Sequence, residues 1–159
     1  MVSVQVQTVF GAFDYREQPI SFWKGVLKPE VFHICREKGT ERAGSGRYDS
    51  FYEDGLYYCA CCGGDYPLFD SKTKYHSKTG WPSFWQPIDL THIRAVKEQR
   101  WWFGPVVEVR CGRCDSHLGD IFDDGPEPTG KRYCINSLAL VFVPRSQKPV
   151  RTYAEPKVQ

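Results

Sequence analysis

The chain has 159 residues, 41% of them hydrophobic and 25% charged, and a formal net charge of +2. That is the size of one domain able to bury its own core, and the charge is too small to drive nucleic-acid binding by electrostatics. No run is long and apolar enough to span a membrane, and no basic segment leads into an apolar one near the start, so neither a span nor a secretory leader is expected.

Residues 1–27 lack a helical period and are punctuated by Pro19 and Gly25, which predicts an extended N-terminal arm. Pro29-Glu30 then opens a short helix through Val31, Phe32, Ile34 and Cys35, ending near Gly39. Residues 40–54 are polar and glycine-bearing, a loop. Strands are expected at 56–58, at 105–110, where Val107 and Val109 alternate with Glu108 and Arg110, at 118–122 and at 138–143. Residues 123–130 carry two prolines and two glycines and predict a turn-rich loop. The charges of 94–100 read as a solvated face, and Trp101 and Trp102 as core or surface-packing rings. The organisation expected is an arm (1–27), one domain (28–145) and a basic tail (146–159). The class is mainly β and antiparallel, with short N-terminal helices.

Seven cysteines are present. Cys59 and Cys62 form one C-x2-C pair, Cys111 and Cys114 another, each with a glycine beside or within it. Two such knuckles close a tetrahedral all-thiolate site, so one structural Zn2+ per chain is expected on these four residues. Cys61 is set aside because Cys62 has the matching spacing and precedes Gly63. The 48 residues between Cys62 and Cys111 (63–110) exceed an ordinary zinc ribbon, so the insert should hold something the knuckles position. The usage of cysteine suits a reducing compartment better than a disulfide scaffold, and a cytoplasmic protein is expected.

The insert contains Gly80-Trp81-Pro82-Ser83-Phe84-Trp85, which presents aromatic rings on a fixed backbone. Downstream lie His117-Leu118-Gly119-Asp120-Ile121-Phe122 and Arg132-Tyr133-Cys134-Ile135-Asn136-Ser137. In a strand Arg132, Cys134 and Asn136 share one face, and the guanidinium is expected to lower the thiol pKa. His117 is a candidate acid or base at that face.

On these residues the chain resembles the B-type methionine sulfoxide reductases, which act on the R epimer of the sulfoxide. The resemblance runs over residues 22–144. Its anchors are Gly39-Thr40-Glu41, both cysteine pairs, Gly80 to Phe84, the Asp124-Gly125-Pro126 turn and Arg132 to Ser137. It implies two antiparallel sheets. It also implies that Cys134 is the nucleophile that becomes a sulfenic acid, and that Trp81 packs on the substrate methyl group. His117, Arg132 and Asn136 would position and polarise the sulfoxide, with Phe84 among the substrate-binding rings. A thioredoxin-like dithiol would recycle the enzyme, and oxidised proteins or peptides would be its substrates. A monomer is expected.

Two positions depart from the family pattern. Asp120 stands where a second histidine is common, which makes it a candidate acid if its pKa is raised. Thr79 stands where many members carry a resolving cysteine. The resemblance then implies Cys35 as the resolving thiol, with direct reduction of the sulfenic acid and Cys61 as the alternatives. The rival readings are a zinc-knuckle module binding protein or RNA, and a zinc hydrolase. The first has no use for Arg132, Cys134 and Asn136 as a set. The second needs an open metal position that four thiolates do not leave.

Overall fold

The computed structural model describes residues 13–63, 65–102 and 104–148. Part of the expected arm (1–12) and part of the tail (149–159) lie outside the described residues.

The described end of the arm is not extended. Ile20–Val26 forms helix α1 behind Pro19, and Pro29–Arg36 forms α2 with its proline in the first turn. What holds the seven residues of α1 is packing, since it has no side-chain cap. Trp23 is buried, meets Phe22 edge-on at 5.1 Å, and lies under the Arg36 guanidinium at 4.7 Å. In α2 the spacing of Val31, Ile34 and Cys35 buries one face. Arg36 reaches from the same helix to the carbonyl of Cys114 (2.9 Å) and the hydroxyl of Ser116 (3.1 Å).

Among the described residues nine strands follow: β1 Gly55–Cys59, β2 Pro67–Asp70, β3 Lys74–Tyr75, β4 Ser83–Phe84, β5 Ile93–Arg100, β6 Gly104–Cys111, β7 His117–Phe122, β8 Arg132–Ile135 and β9 Leu140–Pro144. They make two antiparallel sheets. One has the order β2-β1-β9, the other β3-β4-β8-β7-β6-β5. The mainly β, two-sheet class expected from the sequence is therefore found.

Aromatic rings fill the space between the sheets. Phe84 stacks on Phe69 (4.4 Å between centroids) and meets Tyr57 edge-on at 5.1 Å, and all three are fully buried. Residues 94–100, expected as a solvated face, lie in strand β5 at the sheet edge. Their charges hide the strand pattern and suit an edge, where they oppose pairing with another chain. Trp101 and Trp102 do not join the core: they are 94% and 86% exposed at the tip of the β5–β6 hairpin.

Candidate active site

The two cysteine pairs meet. The Sγ atoms of Cys59, Cys62, Cys111 and Cys114 all lie within 4.8 Å of one another, and all four residues are buried. Cys59 to Cys114 and Cys62 to Cys111 are each 3.7 Å apart. A tetrahedron with metal–sulfur bonds of about 2.3 Å has edges of roughly 3.8 Å, so the cage fits a metal ion of that size. Both knuckles close alike. The Cys59 carbonyl accepts from Gly63 N–H (3.2 Å) and the Cys111 carbonyl from Asp115 N–H (2.9 Å). Gly63 (φ 106°) and Asp115 (φ 63°) take the left-handed conformation this turn needs. Arg113 donates to Cys62 Sγ at 3.2 Å. Because Cys59 ends β1 and Cys111 ends β6, the cage joins the two sheets.

Cys61 is not in the cage. Its thiol lies against those of Cys114 and Cys35. Cys35 is 2% exposed on the buried face of α2.

The six-stranded sheet carries a cavity of about 430 Å³. Its wall brings together Cys134, His117, Asp120, Trp81, Arg132 and Asn136, completed by Thr40, Thr79, Gly119 and Phe122. Two residues expected at the site are absent from this wall. Phe84 pairs with Tyr133, one residue from Cys134, so it points to the opposite face and into the core. Cys35 is turned toward Cys61, and no other cysteine shares the cavity with Cys134.

Register explains the grouping. Glu108, Asp120, Cys134 and Ser83 are successive cross-strand partners, so their side chains share a face. Alternation along β7 would send His117 and Asp120 to opposite faces. A bulge prevents this: Val109 pairs with Gly119 and Arg110 with His117, skipping Leu118. His117 thereby joins Glu108, whose Oε2 accepts the Nδ1–H hydrogen bond at 2.5 Å. That leaves Nε2 for a ligand.

Glu108 is the functional residue the sequence reading missed. It was expected on the polar side of a half-buried strand, yet it is 0% exposed. Burial is the largest influence on its carboxyl and acts to raise its pKa. Hydrogen bonds from His117 and Arg110 overcome this and hold it well below the usual carboxylate range. The buried anion thus fixes the orientation and tautomer of His117. The only hint in the sequence was a glutamate two residues before an arginine in an otherwise apolar strand.

Cys134 does not have the depressed pKa expected from Arg132. Burial dominates and pushes the thiol up to about 11. Arg132 and a hydrogen bond with Thr79 act to lower it, and Asp120 acts to raise it. Arg132 has other commitments: it donates twice to Asp124 (2.7 and 3.0 Å) and lies over the Phe122 ring at 4.3 Å. Asp120 is held by Arg100, which donates to both its oxygens at 2.7 and 2.8 Å. That is bidentate geometry, with both carboxyl oxygens accepting from one guanidinium.

Glu41 braces the remaining wall. Its carbonyl accepts from the Trp81 indole (3.0 Å) and its N–H donates to Asn136 Oδ1 (3.0 Å). Its carboxylate accepts from Leu138 N–H (3.0 Å). Asn136 donates in turn to the Leu118 carbonyl at 3.0 Å. Gly119 lets β7 and β8 approach at Cys134, since a Cβ there would stand 1.9 Å from the Cys134 carbonyl oxygen.

Residues 27–144 match the SelR domain. The chain belongs to the SelR domain family. A protein of Pseudomonas syringae named peptide methionine sulfoxide reductase MsrB is 49% identical over 134 residues, 84% of this chain and 99% of the relative. The protein of that name from Pseudomonas aeruginosa is 51% identical over 129 residues, 81% of this chain and 96% of its own length. The one from Pseudomonas putida is 47% identical over 130 residues, with the same shares of 81% and 96%.

Proposed function

We propose that this protein reduces methionine-R-sulfoxide to methionine. The observation that carries the reading is the row of Glu108, Asp120 and Cys134 on one sheet face, with His117 brought alongside by the β7 bulge. It is supported by the relatives named above. Cys134 is the nucleophile. Its sulfur attacks the sulfoxide sulfur, the S–O oxygen passes to Cys134, and methionine leaves. Cys134 is oxidised by two electrons to the sulfenic acid, and the sulfoxide is reduced by two. Nε2 of His117, oriented by Glu108, takes the thiol proton of Cys134 and passes it to the oxygen. Trp81 packs on the substrate methyl group, while Arg132 and Asn136 shape the polar side. Two external thiols then convert the sulfenic acid back to the thiol, yielding a disulfide and water.

A thioredoxin-like dithiol suits that last step, and oxidised proteins or peptides suit the cavity. Reduction directly at Cys134 is favoured over resolution by Cys35. A disulfide needs Cα atoms within about 7 Å, and Cys35 is buried against Cys61, away from the cavity. The four-cysteine cage would hold Zn2+, whose chemistry there is structural. A monomer in a reducing, cytoplasmic compartment fits four cysteines needed as thiolates.

The test is turnover of each epimer of a methionine sulfoxide peptide with dithiothreitol as reductant. The R epimer is expected to be reduced and the S epimer left. Turnover of the S epimer alone would sink the reading.

The thiol at about 11 gives a separate prediction. In the free protein Cys134 is protonated at neutral pH. Its alkylation by iodoacetamide, followed at that residue by mass spectrometry, should accelerate about tenfold per pH unit from pH 7 to 10. The linked stability runs the other way. The native state keeps a proton that the unfolded thiol releases near its ordinary pKa of roughly 8.5, so stability falls as pH rises from there to about 11. A flat alkylation rate above pH 8 would contradict the raised pKa.

A further inference from the structure

The β5–β6 hairpin ends in an unusual tip. Trp101 and Trp102 are 94% and 86% exposed, with ring centroids 6.4 Å apart. Scattered exposed apolar residues need no explanation, but two adjacent indoles form a patch. The tip is built on a firm base. Arg100 pairs with Gly104, whose φ of 73° suits the three-residue hairpin loop. The Arg100 side chain then crosses the face of the sheet to bind both oxygens of Asp120, in the cavity wall.

Register places the tip beyond the Phe122 side of the cavity wall. Ile121 pairs with Val107 and Val107 with Lys97, so the strands run from Asp120 through Phe122 toward the end where the hairpin turns. From Asp120 to Trp101 there are two strand spacings of about 4.8 Å across the sheet and, at right angles to them, five residues of about 3.3 Å along it, a straight-line distance of roughly 19 Å. An extended peptide covers that distance in about six residues.

We propose that Trp101 and Trp102 form a docking ridge for the polypeptide around the oxidised methionine. The substrate class is then an extended or unfolded chain with an apolar side chain about six residues from the methionine sulfoxide. This rests on the reductase reading above. Continuity with the cavity through Arg100 and Asp120 favours that occupant. A second copy of the chain is disfavoured by area: two indoles offer at most about 500 Å², against roughly 800 Å² per partner in a stable interface. A lipid surface is disfavoured because Arg100, the cation at the base of the tip, is already paired with Asp120.

The test compares wild type with the double variant Trp101→Ser/Trp102→Ser on two substrates. One is N-acetyl-methionine-R-sulfoxide amide. The other is a peptide series of Gly, Ser and Lys with a central methionine-R-sulfoxide and one Phe moved from two to nine positions away. The variant should raise KM about tenfold for peptides with Phe near position six. Its kcat, its melting temperature and its turnover of the short substrate should not change. Equal KM for wild type and variant across the series would overturn the ridge. So would a concentration-dependent dimer, or binding to phosphatidylcholine–phosphatidylglycerol vesicles, that the substitutions abolish. If wild type reduces neither substrate, the reductase reading itself fails.

Discussion

Cys134→Ser should abolish reduction of methionine-R-sulfoxide, lowering kcat/KM by about four orders of magnitude or more, with little change in melting temperature. The hydroxyl nearly fills the space of the thiol, and the half-buried side chain carries little of the core. What is lost is chemistry. A serine oxygen cannot accept the sulfoxide oxygen as a cysteine sulfur does in becoming a sulfenic acid, and Cys134 is the sole cysteine lining the cavity. Cys35→Ser is the informative contrast. With Cys35 buried against Cys61, thioredoxin-driven turnover should persist in that variant at near wild-type rate. If thioredoxin support disappeared while dithiothreitol still worked, α2 would have to move and bring Cys35 to Cys134. Comparing the two reductants on the two variants separates these routes.

Removing one cage thiolate should cost the fold. The cage ties the end of β1 in one sheet to the end of β6 in the other, so it fixes how the sheets meet. Thiolate zinc sites in small peptides carry apparent binding free energies of about 10–16 kcal/mol, most of it folding free energy. Losing even about 5 kcal/mol of that would lower the melting temperature by roughly 10–20 °C in a chain of this size. Cys62→Ser should do so and should drop the metal content, by elemental analysis, well below the one zinc per chain expected for wild type. Cys61→Ser, one position away, should keep both. A wild-type protein that folds and melts normally after full metal removal would contradict this account.

The four-cysteine cage and the place of Cys134 in the cavity wall were legible because both are written in local spacing. Two C-x2-C pairs and an Arg-x-Cys-x-Asn run need no knowledge of distant contacts. The hidden parts depend on register. Glu108 looked solvent-facing because a charged residue alternating with valines usually is. It is buried because His117 and Arg110 supply its partners. His117 faces the cavity only because of a bulge at Leu118 that no residue type announces. Phe84 read as a site residue because it adjoins Trp81, but a shift of one position in a strand reverses the face. Helix α1 escaped notice since seven residues with an internal glycine show no clear period; Trp23 holds it from below. Strand β5 was masked by the charges that suit it to a sheet edge.

Gly119 bears on how this scaffold could be re-engineered. It has no functional group, yet any side chain would collide with the Cys134 carbonyl and force apart the two strands that carry the chemistry. A library built to admit bulkier sulfoxides would find that position closed whatever the substrate. Diversity has to enter through Thr79 and Phe122, whose side chains line the same space without holding the strands together. The most constrained point of the site is thus one that a catalogue of reactive groups would leave out.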